Sequence, residues 1–118
     1  MLFSSRHESW PIAGSFTIAR GSKTAADVVV VELSADGVTG HGECVPYARY
    51  NETVPQVIAA LESARPRIEH LISTAGIESL DLPYAARNAL DCAMWDLTAK
   101  KAKTPVWQLL GLQQPKVL

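Results

Sequence analysis

Residues 85–111, AARNALDCAMWDLTAKKAKTPVWQLLG, constrain the fold more than any other stretch of this chain of 118 residues. They read as a long buried helix, a basic exit, a proline restart and a short apolar turn stopped by Gly111. Ala85, Ala86, Ala89 and Ala93 alternate with Leu90, Met94, Trp95 and Leu97. Small and large residues mixed in this way let other elements approach closely on more than one face. The helix is predicted to begin near Asp81 to Pro83 and to run to about Lys101. Asp96 and Lys100 hold the favourable i, i+4 spacing, and Lys100, Lys101 and Lys103 complement the negative end of the helix dipole.

A helix of this kind needs a surface to pack on, and the first third of the chain reads as strands. Phe3 to Trp10 is a candidate that should stop at Pro11, and Ser15 to Ala19 is a second short run. Asp27 to Ser34 and Val38 to Val45 flank Asp36-Gly37, a pair that tolerates positive φ and marks a hairpin. The β-branched run Val28 to Val31 suits a strand buried on both faces. Gly40 and Gly42 fall two apart on one face of the returning strand, which predicts a close approach there. Together these runs predict a three-stranded antiparallel sheet.

Helical signals follow. Thr53-Val54-Pro55-Gln56 has the form of a capping box with Pro in the first turn. Val54, Val57, Ile58 and Leu61 then recur at helical spacing. Pro66 should end or kink that helix. Ile68, Leu71 and Ile72 suggest that it resumes until residues 73–76 stop it. Strands first and helices afterwards make the class α+β, a three-stranded antiparallel sheet followed by a helical bundle.

The length is enough for one domain with its own core. It is too short for a (β/α)₈ barrel, which takes about 250 residues. Hydrophobic residues at 47% and charged ones at 19% fit a globular protein. A net charge of −1 with scattered Lys and Arg leaves no footprint for nucleic acid or an anionic membrane. The first seven residues lack the apolar run of a signal peptide, and Val28 to Val31 is too short to span a bilayer. Cys44 and Cys92 show no metal-type spacing, so reduced thiols in a cytoplasmic protein are expected.

The order Ala-x-Asn-Ala-Leu-Asp-x-Ala-x-Trp-Asp-Leu-x-Ala-Lys, followed by Pro-Val-x-x-Leu-Leu-Gly, resembles a signature of the enolase superfamily in its muconate-cycloisomerase and mandelate-racemase branch. Residues 10–12, 16–24 and 28–33 resemble the opening of dipeptide epimerases of the L-Ala-D/L-Glu type, and residues 42–53 (GECVPYARYNET) are similar to their second capping loop. The resemblance puts the two capping loops at about Ala19 to Ala25 and Val45 to Thr53. Asn51 stands where that group more usually has Gly. The resemblance implies that residues 1–112 are an N-terminal capping domain and that 113–118 begin the connection to a barrel absent from this chain. It implies a parent isomerase that removes a proton α to a carboxylate, giving an enolate stabilised by Mg²⁺. Two lysines of the barrel would exchange the proton. No catalytic residue and no metal ligand is then expected here, and the chain alone should be inactive. Muconate cycloisomerase, o-succinylbenzoate synthase and other racemases of the superfamily remain open as parents. So does a binding module with no enzyme attached.

The candidate substrate-binding residues are Arg20, Lys23 and Thr24 in one loop, and Tyr47, Arg49 and Tyr50 in the other. The first loop combines two cations, a glycine and two hydroxyls, and can offer donors to a carboxylate. Its residues equally suit a solvated loop. The resemblance places Lys23 against the distal carboxylate of a Glu-containing dipeptide, while Arg20 has a structural pairing with Glu43 or the barrel as its alternative. The tyrosines can wall a pocket or pack on the sheet edge. A small-molecule substrate, a dipeptide or N-acyl amino acid held together with the barrel, is the implied partner. Lys101-Ala102-Lys103 reads as a solvated helix exit, and His7, His41 and His70 lack a second ligand at metal spacing. Asp91 is expected to pair with Arg87 or to cap a neighbouring loop. Val106, Trp107, Leu109, Leu110 and Leu112 form an apolar tail that predicts a homo-oligomer.

Overall fold

Three strands carry the frame: β1 (Leu2–Ile18), β2 (Gly21–Ala35) and β3 (Val38–Cys44), antiparallel in the order β1-β2-β3. The computed structural model describes residues 1–18 and 21–112, with side chains described outside residues 13–24. The β2–β3 hairpin turns at Asp36-Gly37, both with positive φ (53° and 80°), as the dipeptide predicts. Pro11 does not end the first strand. It pairs with Ala25, and the register slips between Pro11 and Phe16 before pairing resumes. A proline is tolerated there because β1 is an edge strand, where one missing N–H leaves no ladder partner stranded.

Four helices follow: α1 (Val54–Ser63), α2 (Arg65–Ile68), α3 (Tyr84–Ala102) and α4 (Val106–Leu109). The capping box opens α1: the Gln56 N–H donates to Thr53 Oγ1 at 3.2 Å and the Thr53 N–H to Gln56 Oε1 at 3.3 Å. Pro66 sits in the first turn of α2, where its missing N–H costs least. The helix does not continue through Ile72 as its spacing suggested. Ile68 is fully buried but Ile72 is 97% exposed, and a 3₁₀ turn over Thr74–Ser79 buries Ile77 instead.

One core joins sheet and helices. Val29, Val31 and Leu33 face α3, which buries Ala85, Ala86, Ala89, Leu90, Ala93, Met94 and Leu97, with Val57 and Leu61 of α1 beside them and Phe3 of β1 joining the core under the Arg65 guanidinium. Gly40 and Gly42 let β3 lie directly on α3. A Cβ on Gly42 would collide with the Ala89 carbonyl and stand 2.8 Å from the Ala93 nitrogen; one on Gly40 would meet Ala93 and Leu97. Val28 and Val30 are buried too, although no helix among the described residues covers their face. Val30 shares a shallow cleft with Arg6, Glu8 and Trp10, whose apolar stems shield it while the heads pair outside. Arg6 bonds Glu8 and Glu32, and Trp10 Nε1 donates to Glu8 at 2.8 Å.

Candidate functional site

The register brings two loops to one end of the sheet. Cys44, the last residue of β3, lies opposite Val29, and beyond that point β1 and β2 continue as a two-stranded ribbon to Ile18 and Gly21. The second loop leaves the sheet at Cys44, so it starts where the ribbon emerges. Lys23 pairs across with Phe16, six positions before Val29, or about 20 Å of strand away. Lys23 and Thr24 thus lie on the distal part of β2, and their side chains are outside the described residues. Arg20 lies wholly outside them.

The second loop is held by its backbone. A 3₁₀ turn spans Ala48–Tyr50 and ends at Asn51, which adopts the left-handed conformation (φ 59°, ψ 30°) that asparagine tolerates. The Tyr50 N–H donates to the Tyr47 carbonyl at 2.9 Å and the Asn51 N–H to that of Ala48 at 3.0 Å. Tyr47 and Tyr50 meet edge to face, with centroids 5.4 Å apart and rings at 62°. Both rings and Arg49 are exposed. The tyrosines therefore pack on each other and present a shared aromatic surface to whatever lies beyond the sheet.

Sequence reasoning missed the residue that anchors this loop. Glu52 is only 7% exposed. Its Oε1 accepts from the Tyr47 N–H at 3.3 Å and its Oε2 from the Ala85 N–H at 2.9 Å. Ala85 is the second residue of α3, and the helix has Pro83 at its N-cap with no side-chain cap of its own. Glu52 satisfies a donor that a local Ser or Asp would ordinarily take. Its charge meets the positive end of the helix dipole. The nearby Cys44 thiol, buried and beside Glu52, is pushed up to about 11, so it stays protonated at neutral pH.

Asp96 and Lys100 pair at 2.9 Å. Arg87 does not pair with Asp91: its guanidinium lies 5.8 Å from the Tyr84 ring centroid, and its buried Nε has no hydrogen-bond partner. Both line a groove with Thr74, Glu78 and Asn88. The α3 geometry places the carboxylate one turn on from Arg87, but stacking on Tyr84 draws the guanidinium the other way along the helix. Lys101 pairs with Asp36 at 3.1 Å, His7 with Asp27 at 3.0 Å, and His70 Nδ1 lies 2.6 Å from the Pro66 carbonyl oxygen. Among the described residues no three His, Cys, Asp or Glu side chains are grouped to hold a metal ion. Nor, among them, is any helix long and apolar enough to cross a membrane.

Comparison with known proteins gives these loops a context. The chain is 42% identical over 111 residues to the L-Ala-D/L-Glu epimerase of Escherichia coli, covering 94% of this chain and 35% of that protein. It superposes with a TM-score of 0.86 and 42% identity on an Agrobacterium tumefaciens enolase family member with homology to dipeptide epimerases, described with bound sodium, L-Ala-L-Glu and an ordered loop. That match covers 96% of this chain and 34% of the other. A dipeptide epimerase from Enterococcus faecalis, complexed with Mg and L-Leu-L-Tyr, matches at 28% identity and a TM-score of 0.79, covering 92% of this chain and 33% of that one. The chain thus spans about a third of the length of these relatives. Residues 3–111 match the model of the mandelate racemase / muconate lactonizing enzyme N-terminal domain, and the chain belongs to that family within the enolase superfamily.

Proposed function

We propose that this chain is the specificity cap of an epimerase that inverts the α-carbon of a dipeptide, or of an N-acyl amino acid, with an acidic end. Proton exchange and Mg²⁺ then belong to the remaining two thirds of such a protein, residues 113–118 lead into it, and the cytoplasm is its setting. The cap contributes selection and exclusion of water, which strengthens the electrostatics of the covered site. The observation that carries the reading is that the β1–β2 ribbon and the second loop leave the sheet at the same end, where Cys44 lies opposite Val29. A strand ribbon bearing Lys23 and a loop bearing Tyr47 and Tyr50 can close over one ligand from two sides.

The acidic preference is supported by the relatives. Those at 42% identity are an L-Ala-D/L-Glu epimerase and a protein described with L-Ala-L-Glu, whereas the one described with L-Leu-L-Tyr stands at 28%. The ammonium of Lys23 supplies the charge such an end requires. In the full-length enzyme, Lys23→Glu should raise KM for L-Ala-L-Glu by about tenfold or more while changing KM for L-Ala-L-Leu by less than about threefold. Equal losses on both substrates would remove the acidic assignment. Turnover of muconate in place of any dipeptide would move the parent to the cycloisomerases. Epimerase activity from the 118 residues alone would overturn the division of labour.

A further inference from the structure

We propose that Glu52 is a positioning residue for substrate selection, clamping the Tyr47–Tyr50 loop to the N-terminus of α3. The inference rests on the reading that this loop faces substrate, and it adds a residue that does not itself touch the ligand.

Three observations carry it. The carboxylate is buried, yet both its oxygens are engaged by backbone N–H groups rather than by a cation: Tyr47 from the loop, Ala85 from the helix. Secondly, α3 lacks a local cap, since Pro83 has no side chain able to accept a hydrogen bond. A helix end packed in the interior requires an acceptor, and Glu52 brings the loop along with it. Thirdly, Tyr47 is fixed from both sides. Its N–H donates to the Glu52 side chain, and its carbonyl accepts from Tyr50 and, at 3.2 Å, from the Glu52 backbone. The position of the two rings is therefore tied to a nineteen-residue helix embedded in the core, rather than to the mobility of an exposed loop.

Glutamine is isosteric but has one acceptor oxygen, so Glu52→Gln turns an NH₂ group toward one of the two N–H donors. Alanine removes both bonds. In the full-length enzyme, KM for L-Ala-L-Glu should rise about threefold in E52Q and about tenfold in E52A, with kcat changed by less than about twofold. Amide hydrogen exchange should quicken at Tyr47 and Ala85 in both. Thr53→Ala removes the adjacent α1 cap without touching the clamp; it should lower Tm and leave KM unchanged. Faster exchange with unchanged KM, or an equal KM rise in T53A and E52Q, would overturn the positioning role. If E52A does not fold, E52Q decides; unfolding of both makes Glu52 a scaffold residue and overturns the proposal. Should the wild-type enzyme turn over no acidic dipeptide, the functional reading falls, while KM for whichever substrate it accepts and the exchange at Tyr47 and Ala85 still judge the clamp.

Discussion

Gly42 shows how one missing side chain fixes a packing arrangement. The β3 backbone rests on α3 at Ala89 and Ala93, and a methyl group on Gly42 would occupy the space of the Ala89 carbonyl. Backbone cannot swing aside as the end of a long side chain can, so strand and helix must separate. Gly42→Ala should cost at least about 2–3 kcal/mol, at the upper end of overpacking penalties. Gly37→Ala meets nothing within 4 Å and carries only the strain of φ +80°, about 1 kcal/mol. Chemical denaturation of the two variants separates them; similar midpoints would show that the helix yields. The close approach was legible in sequence because two glycines fell two apart on a strand opposite a helix rich in alanine. Glu52 was not legible, because its partner Ala85 is 33 residues away and a backbone N–H leaves no mark on the sequence. Arg20, Lys23 and Thr24 are candidates by composition and resemblance, and the register adds only the place of Lys23 and Thr24 along β2.

At the scale of elements, α3 is tied to β3 by charge as well as by shape. Asp96 accepts from the His41 N–H at 2.8 Å and from Lys100 Nζ at 2.9 Å, and Lys100 also donates to the Thr39 carbonyl at 2.9 Å. Partial burial alone would push the Asp96 carboxyl up, but the His41 N–H and the Lys100 ammonium outweigh it and hold the group below its ordinary value. Its folded-state pKa is therefore lower than its unfolded one. The stabilisation is complete above the unfolded value of about 3.9 and is lost as the pH falls through the folded one. Because the group is a third exposed, solvent screening keeps the effect small. Asp96→Asn should cost about 0.5–1 kcal/mol at pH 7, and the difference from wild type should shrink as thermal melts are taken to lower pH. A constant difference across that range would assign the loss to packing. The i, i+4 pair itself could be read from spacing, while its link to β3 required the fold. Edge position carried β1 through Pro11, and helical periodicity misplaced Ile72, because local pattern does not say which strand lies at an edge or where a turn tightens.

For the molecule as a whole, the C-terminal end of the described chain presents an apolar surface that calls for a cover. After α3 the chain turns at Lys103, which adopts φ 52°, and α4 packs back on α3. Val106 and Trp107 are half-buried by that packing, but Leu109, Leu110 and Leu112 remain 38%, 50% and 59% exposed. Three leucines within four residues are an apolar surface of the kind that marks a contact. In a protein three times as long, further chain can cover them; in the isolated chain a second copy can. The isolated chain should therefore be a dimer or larger by light scattering at high concentration. Replacing the three leucines by glutamine should return it to a folded monomer whose Tm no longer depends on protein concentration, since none of them contributes to the buried core. A monomer in the unsubstituted chain would mean that α4 and its flank hold too little apolar surface to drive association. A dimer that survives the triple substitution would place the contact elsewhere, with the exposed backbone edges of β1 and β3 as the next surfaces able to pair.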